Sequence, residues 1–243
     1  MSFAPPPEGS LRLFRFSGIQ VYLHWTWFLV AGYSVTNRQG YYSSVVWNVA
    51  EYLALFLIVL IHEFGHSLAC RSVGGKADRI VLWPLGGVAY VQAPRRPGAT
   101  LWSIAAGPLV NVILIPVLFG AHLLAQQAGM LDGNPDLQRF FVTLRFINFW
   151  LLVFNLLPIY PLDGGQILQS LLWFGVGETK SLLAATVIGF VGAAGLAIYA
   201  FVQQSIWMGV MVFFLFSNCL ASFNYARARL AQEREGGGMG PVA

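Results

Sequence analysis

The sequence predicts an all-α polytopic membrane protein with about six transmembrane helices and a small β-hairpin between the second and third. Three observations predict it. Of the 243 residues, 57% are hydrophobic and only 10% are charged, whereas a water-facing domain carries roughly 25% charged residues. The apolar residues gather into runs of about 20, the length a helix needs to cross a bilayer. Basic residues crowd some of the loops between these runs and are scarce in others, the asymmetry that places Lys and Arg on the cytoplasmic side.

The elements follow in order. The arm 1–18 holds Pro5, Pro6, Pro7, Arg12 and Arg15 and no uninterrupted apolar stretch, so it reads as a cytoplasmic segment and no signal peptide. Six apolar runs then lie near 19–36, 44–70, 99–126, 139–160, 181–203 and 205–225, and together they form a membrane domain over 19–225. The last two are joined through Gln203 and Gln204, as in a helical hairpin. The tail 226–243 is charged and then glycine-rich, and is expected to fray in the cytoplasm. The segment 71–97 carries Arg71, Lys76, Arg79, Arg95 and Arg96 against Asp78, while 127–138 holds Asp132 and Asp136 and no base. Six spans with this bias put both termini and the 71–97 loop in the cytoplasm of a cell with this chain in its inner or plasma membrane. Within that loop "RIVLWPLGGVAYV" alternates and is rich in β-branched residues, which reads as two short strands around a turn at Gly86 and Gly87. An ordinary cytoplasmic loop is the other reading.

Some functions are excluded early. The net charge is +4 without a continuous basic run, so there is no nucleic-acid footprint. Cys70 and Cys219 show no CxxC spacing and read as unpaired apolar residues.

Ionisable groups at membrane depth are costly, and each asks for a reason. At the end of the second run stands "IHEFGH", residues 61–66. His62 and His66 are four apart on a helix and share a face. Glu63 lies about 100° further round, where it could reach a metal-bound water rather than the metal. This is the HExxH arrangement of two zinc ligands and a general base. Accidental spacing is the alternative. A catalytic zinc takes a third protein ligand. Asp163 closes the fourth run, "NFWLLVFNLLPIYPLDGGQIL", and by the loop charges it reaches the same cytoplasmic level as His66. Pro158 and Pro161 break the helix before it, and Gly164 and Gly165 permit unusual backbone angles. Asp163 could equally cap a short helix beginning at Gly164.

Asn111 in the third run and Asn155 in the fourth are buried amides that must find partners. Each reads either as helix-to-helix bonding or as a donor to a developing oxyanion or a clamp on substrate backbone. Gly107 and Pro108 let another backbone come close. His24 suits an interfacial or packing role, and His122 lies far from the motif in depth and has no assigned function.

Taken together, these residues resemble the site-2 protease family of intramembrane zinc metalloproteases. The resemblance rests on "HEFGH" at 62–66, "NLLPIYPLDGG" at 155–165 and "GPLVN" at 107–111, supported by "GIQVYLHWTWFL" at 18–29 and "WPLGGVAYV" at 83–91. It implies one Zn2+ held by His62, His66 and Asp163, with Glu63 as general base. It implies that the hairpin at Gly86 and Gly87 presents a strand edge to substrate. Six spans with both ends cytoplasmic are similar to the bacterial and archaeal branch related to the sporulation pro-sigma-factor processing protease. The expected partners are a single-span membrane protein substrate, the bilayer, and a regulatory membrane partner or a second copy. A PDZ or CBS domain, present in some members, is not expected in this sequence. Two other functions share these residues: a membrane metal transporter, against which no inverted repeat is visible, and an inactive scaffold of protease descent.

Overall fold

The computed structural model describes residues 8–37, 40–83 and 86–237. The chain divides into two compact units, one holding residues up to Pro94 together with Ala105–Val153, the other Arg95–Ile104 and the residues from Phe154 onward.

The first unit opens with strands where the sequence led us to expect an arm over 1–18 and then the start of a helix. Ser10–Phe16 (β1) turns through Ser17 and Gly18, both at positive φ, into Ile19–His24 (β2), and Thr26–Asn37 (α1) follows. A 12-residue helix spans only about 18 Å, short of the ~30 Å hydrocarbon core. The run 19–36 is nevertheless laid along the long helix Val45–Ser72 (α2). Arg71 bonds the carbonyls of Ser17 and Gly18, and the Tyr52 hydroxyl bonds the carbonyl of Trp27. Those two anchors on α2 are 19 residues apart, about 28 Å of helix. The predicted first span therefore runs the depth of α2 as a strand followed by a short helix. The strand and the helix abut and were read as one run of membrane length, although Ile19, Val21 and Leu23 alternate with Gln20, Tyr22 and His24 as in a strand.

After α2 the chain forms Lys76–Trp83 (β3) and Gly86–Gln92 (β4). The expected hairpin is half of a four-stranded sheet in the order β1-β2-β3-β4. The β2–β3 pair is parallel, with Val21 beside Ile80 and Leu23 beside Leu82, and the outer pairs are antiparallel. Gly86 and Gly87 are strand residues, paired with Trp83 and Leu82, and not the turn between the strands. The connection at 84–85 lies outside the described residues. The inner two strands are paired on both edges and packed on α2, so their backbone groups are satisfied without water. Ile19, Val21, Ile80 and Leu82 form one buried cluster with Trp27, Val59 and Leu60.

Pro97–Gln127 (α3) and Pro135–Asn155 (α4) follow, close to the predicted third and fourth spans. Pro158 and Pro161 stop α4 short of its expected end. The segment 156–162 then turns onto Asp163–Val176 (α5) in the second unit. Glu178–Val202 (α6) and Ile206–Gly237 (α7) complete the chain. Here Ile159 packs with Ala193, Leu215 and Cys219. The tail expected to fray after Tyr225 continues as α7. Arg229 pairs with Glu178 at 2.8 Å, and Thr179 donates to Glu233 at 2.7 Å. Among the described residues five helices, α2, α3, α4, α6 and α7, are long and apolar enough to cross a membrane. The mainly helical, polytopic class stands; the count of about six spans is met by five such helices among the described residues.

Candidate metal centre

His62, Glu63 and His66 sit on α2 and are all buried. The 100° step of the helix sets the two imidazoles on one face. Their rings meet edge to face with centroids 4.8 Å apart, and Nε2 of His62 lies 3.1 Å from Nε2 of His66. Two zinc–nitrogen bonds of 2.0–2.1 Å at a tetrahedral angle separate their nitrogens by ~3.3 Å, so this pair fits a shared ion. Nitrogen and carboxylate atoms of the three residues lie within 4.8 Å of one another.

Glycines let the surrounding backbone close on this group. A Cβ on Gly65, inside the motif itself, would fall 2.7 Å from the carbonyl oxygen of Ala106 on α3. A Cβ on Gly107 would strike the His66 ring, with Cδ2 at 2.8 Å and Nε2 and Cε1 nearer still. The glycines at 65 and 107 therefore bring α2 and α3 into backbone contact, as small residues do between membrane helices. On another side β4 crosses Glu63, since a Cβ on Gly87 would lie 2.5 Å from Oε1 of that carboxylate. Gly87 has a role the turn reading missed: it lets an edge strand of the sheet pass directly against the acid.

Asn111, on α3, places its amide oxygen 2.6 Å from Nδ1 of His62. Its amide nitrogen donates to Oδ1 of Asn148 on α4 at 2.8 Å, and Nδ2 of Asn148 donates to the Asn111 carbonyl at 2.9 Å. Both asparagines are 0% exposed. Of the roles open to Asn111, the structure shows helix-to-helix bonding, and extends it to His62. Asn148 was missed by the sequence reading. Its signal was there: it lies seven residues, two helical turns, before Asn155 in the same apolar run.

Asn155 ends α4 and Asp163 begins α5, both in the second unit. Asp163 is the first helical residue, and position Leu162 before it makes no side-chain cap bond. A carboxylate in a first turn suits the helix dipole. The two glycines after it are sterically required, because a Cβ on Gly164 would lie 2.5 Å from the Leu157 carbonyl and one on Gly165 2.5 Å from the Tyr160 nitrogen. His24 accepts or donates a bond with the Thr26 hydroxyl at 2.6 Å and stacks on Trp83 at 3.9 Å, which is packing between strand ends. His122 packs its ring edge on Phe141.

Similarity to known proteins agrees with this geometry. Residues 50–134 and 124–199 match the model of peptidase family M50. A zinc metalloprotease of Methanocaldococcus jannaschii is 37% identical over 184 residues, covering 74% of this chain and 50% of that protein. Stage IV sporulation protein FB of Bacillus subtilis is 38% identical over 118 residues, 48% of this chain and 38% of that one. The solved structure of the site-2 protease from Methanocaldococcus jannaschii aligns with a TM-score of 0.63 at 29% identity, over 88% of this chain and 95% of that one. The chain spans about half the length of the first of these relatives. On these matches, which include residues 62–66, the chain belongs to peptidase family M50, the site-2 protease family.

Proposed function

We propose that the protein is a zinc endopeptidase that cleaves a single-span membrane protein close to the cytoplasmic face of the cell membrane. The observation that carries the proposal is the buried pair of facing imidazole nitrogens with a carboxylate beside them and an edge strand lying across that carboxylate. His62 and His66 would hold the ion, with Asp163 as third ligand. The hydropathy order supports Asp163, because α2, α3 and α4 are successive spans and successive spans alternate in direction. The C-terminal ends of α2 and α4 therefore reach the same membrane face. The bases of 71–97 mark that face as cytoplasmic. The N-terminal strands belong to the same side: β2 begins beside Arg71 at the C-terminal end of α2. With 19–36 running back along α2, this supports both termini being cytoplasmic.

Zinc bound here would supply Lewis acidity and a water acidic enough to ionise near pH ~7. The chain's own residues do the rest. Glu63 accepts the proton of the attacking water and returns it to the departing amine. Burial and the close cover of β4 keep bulk water from the carboxylate. Asn155 would donate its amide to the developing oxyanion. A helical substrate hides its carbonyls and must unwind before it can react. The outer edge of β4, at Gly86 and Gly87, would take the unwound segment as an added strand and lay it beside Glu63.

The test is Glu63→Gln in the full chain, co-expressed with a panel of single-span membrane proteins. Wild type should release a shortened product, and the variant should release none while keeping about one zinc per chain. Cleavage by the variant at the wild-type rate would remove Glu63 from the mechanism.

A further inference from the structure

The structure assigns Asn148, acting through Asn111, as the residue that fixes which nitrogen of His62 is left to bind a metal. The inference rests on the metal site proposed above and deepens it. It starts from a group with one possible role. A backbone carbonyl only accepts, and Nδ2 of Asn148 lies 2.9 Å from the Asn111 carbonyl oxygen. That bond needs the nitrogen of the Asn148 amide, so its oxygen must turn to the Asn111 side chain. Oδ1 of Asn148 also only accepts, and Asn111 meets it with Nδ2 at 2.8 Å. With its nitrogen committed, Asn111 turns its own oxygen to Nδ1 of His62 at 2.6 Å. An amide oxygen facing a ring nitrogen requires the hydrogen on the ring. Nδ1 of His62 therefore carries it, and Nε2, which faces His66 at 3.1 Å, keeps the lone pair.

An isolated neutral imidazole takes either tautomer. Here reversing either amide sets oxygen against oxygen, in a place where both asparagines are 0% exposed and water cannot relieve the contact. The polarity of a peptide carbonyl on α3 is thus passed through two side chains to the metal-facing atom of a histidine on α2. Asn148 and Asn111 touch no reacting atom in this account. They are positioning residues, and partners that orient a ligating histidine in this way typically change metal affinity by 10- to 100-fold.

The experiment measures zinc affinity by competition with a chromophoric chelator on the full chain in detergent. Thermal unfolding of the metal-free protein is followed in parallel. Asn111→Leu and Asn148→Leu should each weaken zinc by 10- to 100-fold. Asn111→Asp should hold zinc close to the wild-type level, because a carboxylate oxygen still accepts from His62. It should also unfold at a lower temperature, because its other oxygen then opposes Oδ1 of Asn148. Affinity and stability would thus separate, which a packing role cannot produce. Where a leucine variant does not fold, Asn148→Ala, which removes atoms and adds none, gives the same comparison. Leucine variants that bind zinc as wild type does would overturn the relay and leave the metal site standing. Equal loss in Asn111→Leu and Asn111→Asp would also overturn it. Wild type that takes up no zinc would overturn the metal site and the relay together.

Discussion

Gly107→Ala isolates the metal site without needing a substrate. The new Cβ would fall 2.8 Å from Cδ2 of His66 and nearer to Nε2 and Cε1. Non-bonded carbon contacts are comfortable at about 3.5–4.0 Å, so the ring must give by at least ~0.7 Å. A metal site tolerates about ±0.2 Å in its ligand distances, so the displacement exceeds that tolerance more than threefold. The alternative is for α3 to back away from α2. Gly65 opposes Ala106 at backbone distance on the same interface, so backing away opens that contact too, and overpacking of this kind costs about 1–3 kcal/mol. Either way the wild-type site is lost. The assay is zinc per chain after dialysis against a weak chelator, with thermal unfolding in detergent. Gly120→Ala serves as control, since a Cβ there meets nothing within 4 Å on the same helix. Zinc content should fall sharply in Gly107→Ala and stay at the wild-type level in Gly120→Ala. Gly107→Ala with wild-type zinc and wild-type unfolding temperature would refute the close approach of α3 to His66.

Three further outcomes are expected. Gly87→Ala should keep its zinc and lose about 10²-fold or more in turnover, because the new methyl displaces Glu63 and a misplacement near 1 Å costs about that much; unchanged turnover would show that β4 does not lie on the acid. Asp163→Ala should lower zinc retention on dialysis, and full retention would exclude Asp163 as a principal ligand. Tyr42 donates to Glu51 at 2.8 Å, and burial pushes its phenol up to about 12. Tyr42→Phe should therefore lower stability by about 1–3 kcal/mol. The folded state holds this proton more tightly than the unfolded chain, so the hydroxyl's contribution is complete below pH ~10 and declines as pH rises toward ~12; chemical denaturation of wild type and variant across that range checks the sign.

The chemistry was legible in the sequence where it depends on local spacing. His62, Glu63 and His66 lie within five residues on one helix, so the 3.6-residue repeat alone sets their relation. The helices α2, α3, α6 and α7 could be read from hydropathy because a bilayer imposes a minimum length. The strands β1 and β2 could not. Strand β2 alternates Ile19, Val21 and Leu23 with Gln20, Tyr22 and His24, yet it abuts the apolar residues of α1, so the two read as one run of membrane length. Gly86 and Gly87 announced an unusual backbone need, and at Gly87 the need proved to be a close approach to Glu63 and not a turn.

The sequence by itself determined the class of molecule, the membrane as its solvent, and the candidate groups for metal binding and proton acceptance on α2, because composition, run length and helical repeat are local quantities. Only the tertiary structure decided what those groups touch. It set β4 across Glu63, brought α3 against His66, and linked His62 through Asn111 to Asn148, residues separated by 49 and 37 positions along the chain. Contacts at that separation follow from which helices pack and at what register. Steric fit and hydrogen-bond polarity settle these only once the whole chain is folded.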